Sequence, residues 1–158
     1  MTERLDYRTA SPEGVKALMA CYTYFETCGL PAILVELVCL RCSQINECAF
    51  CIDMHSRSLS IHGYSTDKLM LTSVWREAHS MFTAQEQAAL AWAERVTEIA
   101  GDPIEDEEYE DARKVFSEKE LVDMTLVIGV INAFNRLAIS FQAAPAAVKA
   151  YERAMAQK

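Results

Sequence analysis

Two cysteines separated by two residues, Cys48 and Cys51, are the side chains with the clearest reactive potential in this sequence. His55 follows four residues after the second cysteine, and Glu36 lies in the preceding apolar segment. The thiolate is the reactive form of cysteine, and a helix N-terminus or a histidine oriented by a carboxylate favours its formation. The pattern therefore predicts thiol redox chemistry.

A helix over residues 48–62 would bring these groups onto one face. Cys48, Cys51 and His55 then occupy positions i, i+3 and i+7. The imidazole of His55 can reach the Cys51 sulfur directly or through a water, and the two sulfurs need only a modest adjustment to form a disulfide. We expect the pair to cycle between dithiol and disulfide.

The order Glu36, eleven residues, Cys48-x-x-Cys51, three residues and His55 resembles a known active-site signature. It is similar to that of the AhpD-like alkylhydroperoxidases, which belong to the carboxymuconolactone decarboxylase superfamily. Segments further along the chain also resemble single-domain members, at 82–94, 121–126 and 131–138. The resemblance implies an all-α, single-domain, AhpD-like helical fold over residues 1–158, assembled as a homo-oligomer, either a trimer or a hexamer.

The resemblance also implies roles for the four residues. In the family the second cysteine attacks the peroxide, and this residue maps to Cys51. The first cysteine resolves the product, and it maps to Cys48. His55 and Glu36 map to a proton relay, which usually runs through water. The implied activity is a cofactor-free thiol peroxidase, an alkylhydroperoxide reductase, or a disulfide reductase. Its implied partners are a hydroperoxide substrate, an external dithiol or lipoylated protein as reductant, and a peroxiredoxin as companion. Phe50 stands where the best-studied members carry a histidine, so the relay has one member fewer.

Composition narrows the class of protein. The chain has 158 residues, of which 51% are hydrophobic and 24% charged, and its net charge is −8. Because phosphate binding needs clustered Lys and Arg, this charge argues against nucleic acid and against an anionic membrane surface. The N-terminal residues lack the apolar core of a signal peptide, and no apolar run is long enough to span a bilayer. These features predict a soluble, cytoplasmic protein.

Periodicity and capping signals predict helices throughout and no sheet. Capping boxes that begin at Thr83 and Ser117 mark two of the helix starts. The predicted helices cover residues 11–29, 32–45, 48–62, 65–79, 83–100, 105–116, 117–143 and 146–157. Asn132, Asn135 and Arg136 interrupt the apolar pattern of the last long helix, and we expect them to satisfy buried or interface groups or to shape the site.

Some questions stay open at the level of sequence. Cys39 and Cys42 form a second C-x-x-C in the middle of a helix and are interpreted as small core residues. Together with the first pair they permit a zinc site. The five residues that separate the two pairs are, however, fewer than the ~12 usual between zinc-binding pairs. A non-catalytic redox sensor and a lyase of the decarboxylase branch also fit the sequence. Glu36, in an apolar helix, needs a partner, and a histidine or water network is preferred over solvent or an arginine of another subunit.

Overall fold

In a computed structural model, which describes residues 3–155, every regular element of that range is helical, and the predicted all-α fold is confirmed. Two short 3-10 turns, Thr72–Val74 and His79–Met81, join the fifth and sixth helices. The helices are α1 Tyr7–Ala10, α2 Pro12–Phe25, α3 Ala32–Ile45, α4 Ala49–Ile61, α5 Thr66–Leu71, α6 Ala84–Thr97, α7 Asp106–Arg113, α8 Glu118–Phe141 and α9 Ala146–Met155.

Helix α3 lies at the centre and packs against α4, α6 and α8. Its sequence is apolar on nearly every side, so no single face is left for solvent, and Leu37, Val38, Cys39, Leu40 and Cys42 are at most 1% exposed. Burying one such aliphatic side chain stabilises the fold by roughly 1.5–3 kcal/mol. This packing fixes the rotation of α3 and hence the direction of its few polar side chains.

Helix α8 supplies the second long wall of the core. Met124, Val127, Ile128 and Ile131 are buried on its inner face, as expected for an amphipathic helix facing a core. Within the described residues, the segment Glu118–Met155 is long and apolar enough to cross a membrane by length and composition. Core helices pass the same test, and the buried inner face shows that α8 is one of them.

The predicted capping boxes are present. The Thr83 hydroxyl accepts from the Glu86 backbone N–H at 3.2 Å, and the Glu86 carboxylate accepts from the Thr83 backbone N–H at 2.7 Å. Ser117 and Glu120 make the same reciprocal bonds at the start of α8. These bonds satisfy backbone N–H donors that a helix start otherwise leaves unpaired. Because the residues that make them are recognisable in the sequence, both helix starts could be predicted.

One predicted helix is too long. The helix expected over residues 65–79 ends at Leu71 and gives way to 3-10 turns. The Thr72 hydroxyl bonds back to the Lys68 carbonyl at 2.8 Å, and the buried Trp75 indole donates to Glu94 of α6 at 2.9 Å. A tertiary hydrogen bond to a residue far along the chain decides the local conformation here.

Other boundaries differ from the predicted ones by a few residues. Helix α2 ends at Phe25 rather than near Gly29, which turns the chain with a φ of 102°; this left-handed conformation suits glycine because it lacks a Cβ. Helix α6 ends at Thr97 and α8 at Phe141. The predicted end of the last helix at Gln157 lies outside the described residues.

Glu94 joins three parts of the fold. Its carboxylate accepts from Arg41 Nε of α3 at 2.7 Å, from the Trp75 indole at 2.9 Å and from the Arg76 guanidinium. Burial acts against the charge, but the hydrogen bonds from Arg76, Trp75 and Arg41 hold the Glu94 pKa below its ordinary value. Glu94 is therefore an ionised, structural carboxylate.

We expect Glu94→Ala to lower the free energy of unfolding by about 3 kcal/mol, because it leaves Arg41 and the indole without their shared acceptor. Urea unfolding measures the loss, and Glu110→Ala, an exposed carboxylate on α7, should change stability by no more than about 0.5 kcal/mol. Since the folded pKa is depressed, the contribution is complete above the ordinary value of 4.5 and declines as pH falls below it. A difference between variant and wild type that does not shrink in acid would contradict this account.

Candidate active site

The turn between α3 and α4 places the first reactive cysteine at a helix start. Glu47 adopts a left-handed conformation with a φ of 59°, which redirects the chain within two residues, and Cys48 follows as the N-cap of α4. Its sulfur accepts from the Cys51 backbone N–H at 3.4 Å. The partial positive charge of the helix N-terminus therefore acts directly on the Cys48 sulfur.

The structure brings the two predicted thiols into contact. Their sulfur atoms are 2.7 Å apart, both cysteines are free, and each residue is only 1% exposed. A disulfide bond measures about 2.05 Å, so a shift of less than an ångström would join them. The pair is geometrically prepared for disulfide formation.

The contact divides the protons unequally between the two sulfurs. The hydrogen bond donated by the Cys51 thiol lowers the pKa of Cys48 to about 7, against the opposing effect of burial, and the Cys51 backbone N–H helps. The pKa of Cys51 is raised, first because its proton is held in that bond and second because of burial. The negative charge of a singly deprotonated pair is therefore centred on Cys48.

Glu36 and His55 meet across the α3–α4 hairpin. His55 Nδ1 donates to Glu36 Oε2 at 2.7 Å, so the half-buried carboxylate has the histidine partner preferred from the sequence. With Nδ1 as donor, a neutral imidazole carries its lone pair on Nε2. Nε2 is buried and has no hydrogen-bond partner among residues 3–155, so it reaches the cysteines only through a bridging molecule.

A cavity of about 470 Å³ lies against Cys51, His55 and Glu36, with mostly apolar walls. A second cavity, of about 400 Å³, lies against Cys48 and is closed by the end of α8 and residues 143–148. Phe50 lines both. The two sulfurs therefore touch each other but line separate cavities, and Phe50 forms the partition between these cavities.

The sequence around the site matches a known protein family. Residues 12–95 match the sequence model of the carboxymuconolactone decarboxylase family, and the matched range contains Glu36, Cys48, Cys51 and His55. The chain belongs to this family.

Individual members of the family and its fold agree with that assignment. The uncharacterized protein YdfG of Bacillus subtilis is 34% identical over 140 residues, covering 89% of this chain and 95% of its own. A crystal structure of an Agrobacterium tumefaciens protein of unknown function, linked by its description to the antioxidant defence protein AhpD, is 42% identical with a TM-score of 0.87, covering 91% and 98%. The debrominase Bmp8 shares the fold at 17% identity and a TM-score of 0.78, covering 90% and 76%.

Asn135 is a site residue whose role the sequence left open. It is fully buried on α8; its Oδ1 accepts from Asn46 Nδ2 at 2.9 Å and its Nδ2 donates to Ser43 Oγ at 3.0 Å. These bonds fix the amide orientation, and a hydrogen bond from Asn135 lowers the pKa of both Cys48 and Cys51. The sequence indicated only that an asparagine interrupts an apolar helix. It did not indicate which groups the Asn135 side chain contacts.

The neighbouring polar residues of α8 serve other groups. Asn132 Oδ1 accepts from Asn46 Nδ2 at 2.6 Å, and Asn132 Nδ2 donates to Thr97 Oγ1 at 3.2 Å. Arg136 is exposed and donates to the Asn132 carbonyl at 2.8 Å. Asn132 thus supports the α3–α4 turn, whereas Asn135 reaches the thiols.

The second C-x-x-C lies in the core, as interpreted. Cys39 and Cys42 are fully buried; burial raises the Cys39 pKa well above its ordinary value and raises that of Cys42 to about 12. Both are therefore protonated and unreactive near neutral pH. The residues that the structure describes contain no group of three or more His, Cys, Asp or Glu side chains arranged to hold a metal ion.

We expect the Cys48 thiolate to titrate with a midpoint of about 7, followed by its ultraviolet absorbance or by the pH dependence of alkylation. Cys51→Ala should move this midpoint towards 9.0, because the strongest stabilising hydrogen bond is lost. Cys21→Ala, which removes a half-buried thiol of α2, serves as the control and should leave it in place. A wild-type midpoint already at 9.0 would show that the contact does not stabilise the thiolate.

Asn135→Ala should also raise the Cys48 pKa, since it removes a buried donor, and should destabilise the fold by about 1–3 kcal/mol by leaving Ser43 and Asn46 less satisfied. Asn132→Ala is the matched control, because it removes another partner of Asn46 without a bond to either thiol. The same titration compares the two variants. Equal pKa changes in both would mean that Asn135 acts only through the turn.

Proposed function

We propose that this protein is a thiol-dependent hydroperoxide reductase of the AhpD type. The observation that carries the proposal is the pair of free thiols in contact at 2.7 Å, one of them against an apolar cavity shared with a histidine–carboxylate pair. Family membership and the similarity to the Agrobacterium protein linked to AhpD support a peroxidase-related role. Disulfide reduction by the same pair is the related activity.

Cys51 is the attacking sulfur in this proposal, because it is the cysteine that lines the cavity with His55 and Glu36. Cys48 has the lower pKa of the two, so in this proposal Cys51 attacks after it passes its proton to Cys48 across their 2.7 Å contact. When Cys51 passes its proton to Cys48, the Cys51 thiolate attacks the terminal peroxide oxygen. The sulfur–oxygen bond forms and the oxygen–oxygen bond breaks, leaving Cys51 as a sulfenic acid and releasing an alkoxide.

The His55–Glu36 pair handles the proton of the leaving group. Protonated His55, held by Glu36, gives a proton to the alkoxide through a bridging molecule, and the product leaves as an alcohol. Cys48 then attacks the Cys51 sulfur, its own proton leaves with the hydroxyl group as water, and a disulfide remains. The net reaction converts dithiol and hydroperoxide into disulfide, alcohol and water; the second proton is the one that the resting pair had given to His55 or solvent.

An external dithiol completes the cycle by thiol–disulfide exchange. We propose a small dithiol or a lipoylated protein as this reductant, with a peroxiredoxin as companion. Six free cysteines suit the reducing cytoplasm, where we place the protein. Exposed apolar residues on the outer face of α8, Val122 and Leu126, suit a homo-oligomeric trimer or hexamer.

The test is consumption of cumene hydroperoxide by the reduced protein with dihydrolipoamide as the regenerating dithiol. We expect turnover by wild type and by the control Cys21→Ser, and none by Cys48→Ser or Cys51→Ser, because each reactive sulfur is needed once per cycle. Trapping with dimedone in a single turnover should label Cys51 in the Cys48→Ser variant.

Other outcomes select the rival functions. Formation of the Cys48–Cys51 disulfide without turnover would indicate a redox sensor. A lyase activity that is left intact by Cys51→Ser would indicate the decarboxylase branch, which does not depend on the cysteine pair. Faster dimedone labelling of Cys48 in Cys51→Ser than of Cys51 in Cys48→Ser would reverse the assigned roles and keep the activity.

Glu36→Gln should lower kcat/KM for the hydroperoxide about tenfold to hundredfold, because the neutral amide still bonds His55 but no longer stabilises its charge. Glu47→Gln removes an equal charge beside Cys48, on an exposed residue, and should change kcat/KM little. Steady-state kinetics compare the variants. Equal losses in both would show that overall charge near the pair matters and that the relay does not.

A further inference from the structure

We propose that the cavity beside Cys51 selects hydroperoxides with an apolar body and a distant carboxylate, the class of fatty-acid hydroperoxides, and that Arg8 binds the carboxylate. The inference rests on the proposed hydroperoxide reductase activity and specifies its substrate. Arg8 belongs to the short helix α1, and no sequence motif connects this residue with the cysteines.

The cavity wall suits a hydrocarbon chain. Val15 and Met19 of α2, Met54 of α4 and Phe134 of α8 line it together with Phe50. Its volume of about 470 Å³ lies within the usual range for small-molecule sites. Burying a methylene group in such surroundings contributes about 0.8 kcal/mol, so an extended apolar body gains affinity with length.

Arg8 is the cationic side chain of this cavity wall. Asp6 caps α1 and accepts from the Arg8 backbone N–H at 2.9 Å, which sets where the side chain leaves the helix. The guanidinium carbon lies 5.2 Å from the Tyr7 ring centroid and 5.4 Å from that of Phe50. Both distances are in the range of cation–π attraction, so two aromatic rings hold the charge beside the cavity.

The Arg8 guanidinium is available for an anion. No carboxylate within residues 3–155 forms an ion pair with it; the nearby Asp6 carboxylate accepts from the Arg8 backbone N–H, and the guanidinium charge is the smallest of the effects that lower the Asp6 pKa. A guanidinium presents paired N–H donors that match the two oxygens of a carboxylate. Among the described residues that line the cavity, Arg8 is the one with a permanent positive charge, which makes it the strongest partner there for an anion.

The charges of the cavity also orient such a substrate. Glu36 is the acidic side chain of the cavity wall, beside His55 and Cys51, and repels a second carboxylate from that end. Arg8 lies beside Phe50 on the wall of the same cavity and attracts the carboxylate. The carboxylate therefore points to Arg8 and leaves the peroxide group, carried further along the chain, to reach the Cys51 sulfur.

The experiment compares two peroxides that differ only in this charge, 13-hydroperoxyoctadecadienoic acid and its methyl ester, with dihydrolipoamide as reductant. We expect wild type to favour the acid in kcat/KM by about tenfold, a typical effect of one charge-assisted hydrogen-bonded pair. Arg8→Gln should bring the ratio close to one, and Arg8→Lys should keep part of the preference. Arg57→Gln, an exposed arginine of α4 paired with Asp53, should keep the wild-type ratio.

The outcomes separate this inference from the function on which it rests. If wild type consumes cumene hydroperoxide but treats acid and ester alike, Arg8 selection is wrong and the reductase activity stands. If no peroxide is consumed, calorimetric titration with the unreactive 13-hydroxyoctadecadienoic acid and its ester tests the anion site alone. Tighter binding of the acid, lost in a folded Arg8→Gln, supports the site, and equal binding of both overturns it.

Discussion

The burial of α3 on all sides is the constraint on which the site depends. A helix enclosed by α4, α6 and α8 cannot rotate without exposing or crowding large aliphatic side chains. Its polar groups are therefore fixed in direction: Glu36 faces His55, and Ser43 faces Asn135. The three residues 46–48 then connect α3 to α4, so the partners of these groups come from the next helix and from α8.

Cys48 has a lowered pKa despite burial, which by itself would favour neutral sulfur. Four donors offset the loss of water around Cys48: the Cys51 thiol, the backbone N–H groups of Cys51 and Phe50, and the Asn135 amide. Cys39 and Cys42 show the opposite outcome in the same core. The two C-x-x-C pairs differ in position: Cys48 lies at a helix start, where backbone N–H donors add to the larger effect of the Cys51 thiol, whereas a mid-helix sulfur finds no free N–H group.

Local signals were sufficient for much of the molecule. The helices, the capping boxes at Thr83 and Ser117, and the common face of Cys48, Cys51 and His55 follow from short-range spacing, and the structure agrees. Contacts between distant segments were not accessible from one sequence. The bond from Trp75 to Glu94 shortens a predicted helix, and Asn135 meets thiols that lie more than eighty residues earlier in the chain.

Helix α1 illustrates the same limit at small scale. Four residues are too few to show helical periodicity, so neither the element nor the placement of its arginine beside Phe50 could be predicted. The partition formed by Phe50 could be predicted only in part from the sequence. Its apolar character was evident, but two cavities on opposite sides of one ring are a property of the packed helices.

The N-cap position of Cys48 also has a thermodynamic consequence for electron transfer. The helix start stabilises a thiolate, which exists only in the reduced protein, and a disulfide sulfur forfeits most of that stabilisation. Selective stabilisation of the dithiol form raises the reduction potential of the couple, as in strongly oxidising C-x-x-C proteins. In the proposed cycle the oxidised pair is therefore an easy electron acceptor, and the helix start that stabilises the Cys48 thiolate also favours reduction of the disulfide by a modest reductant.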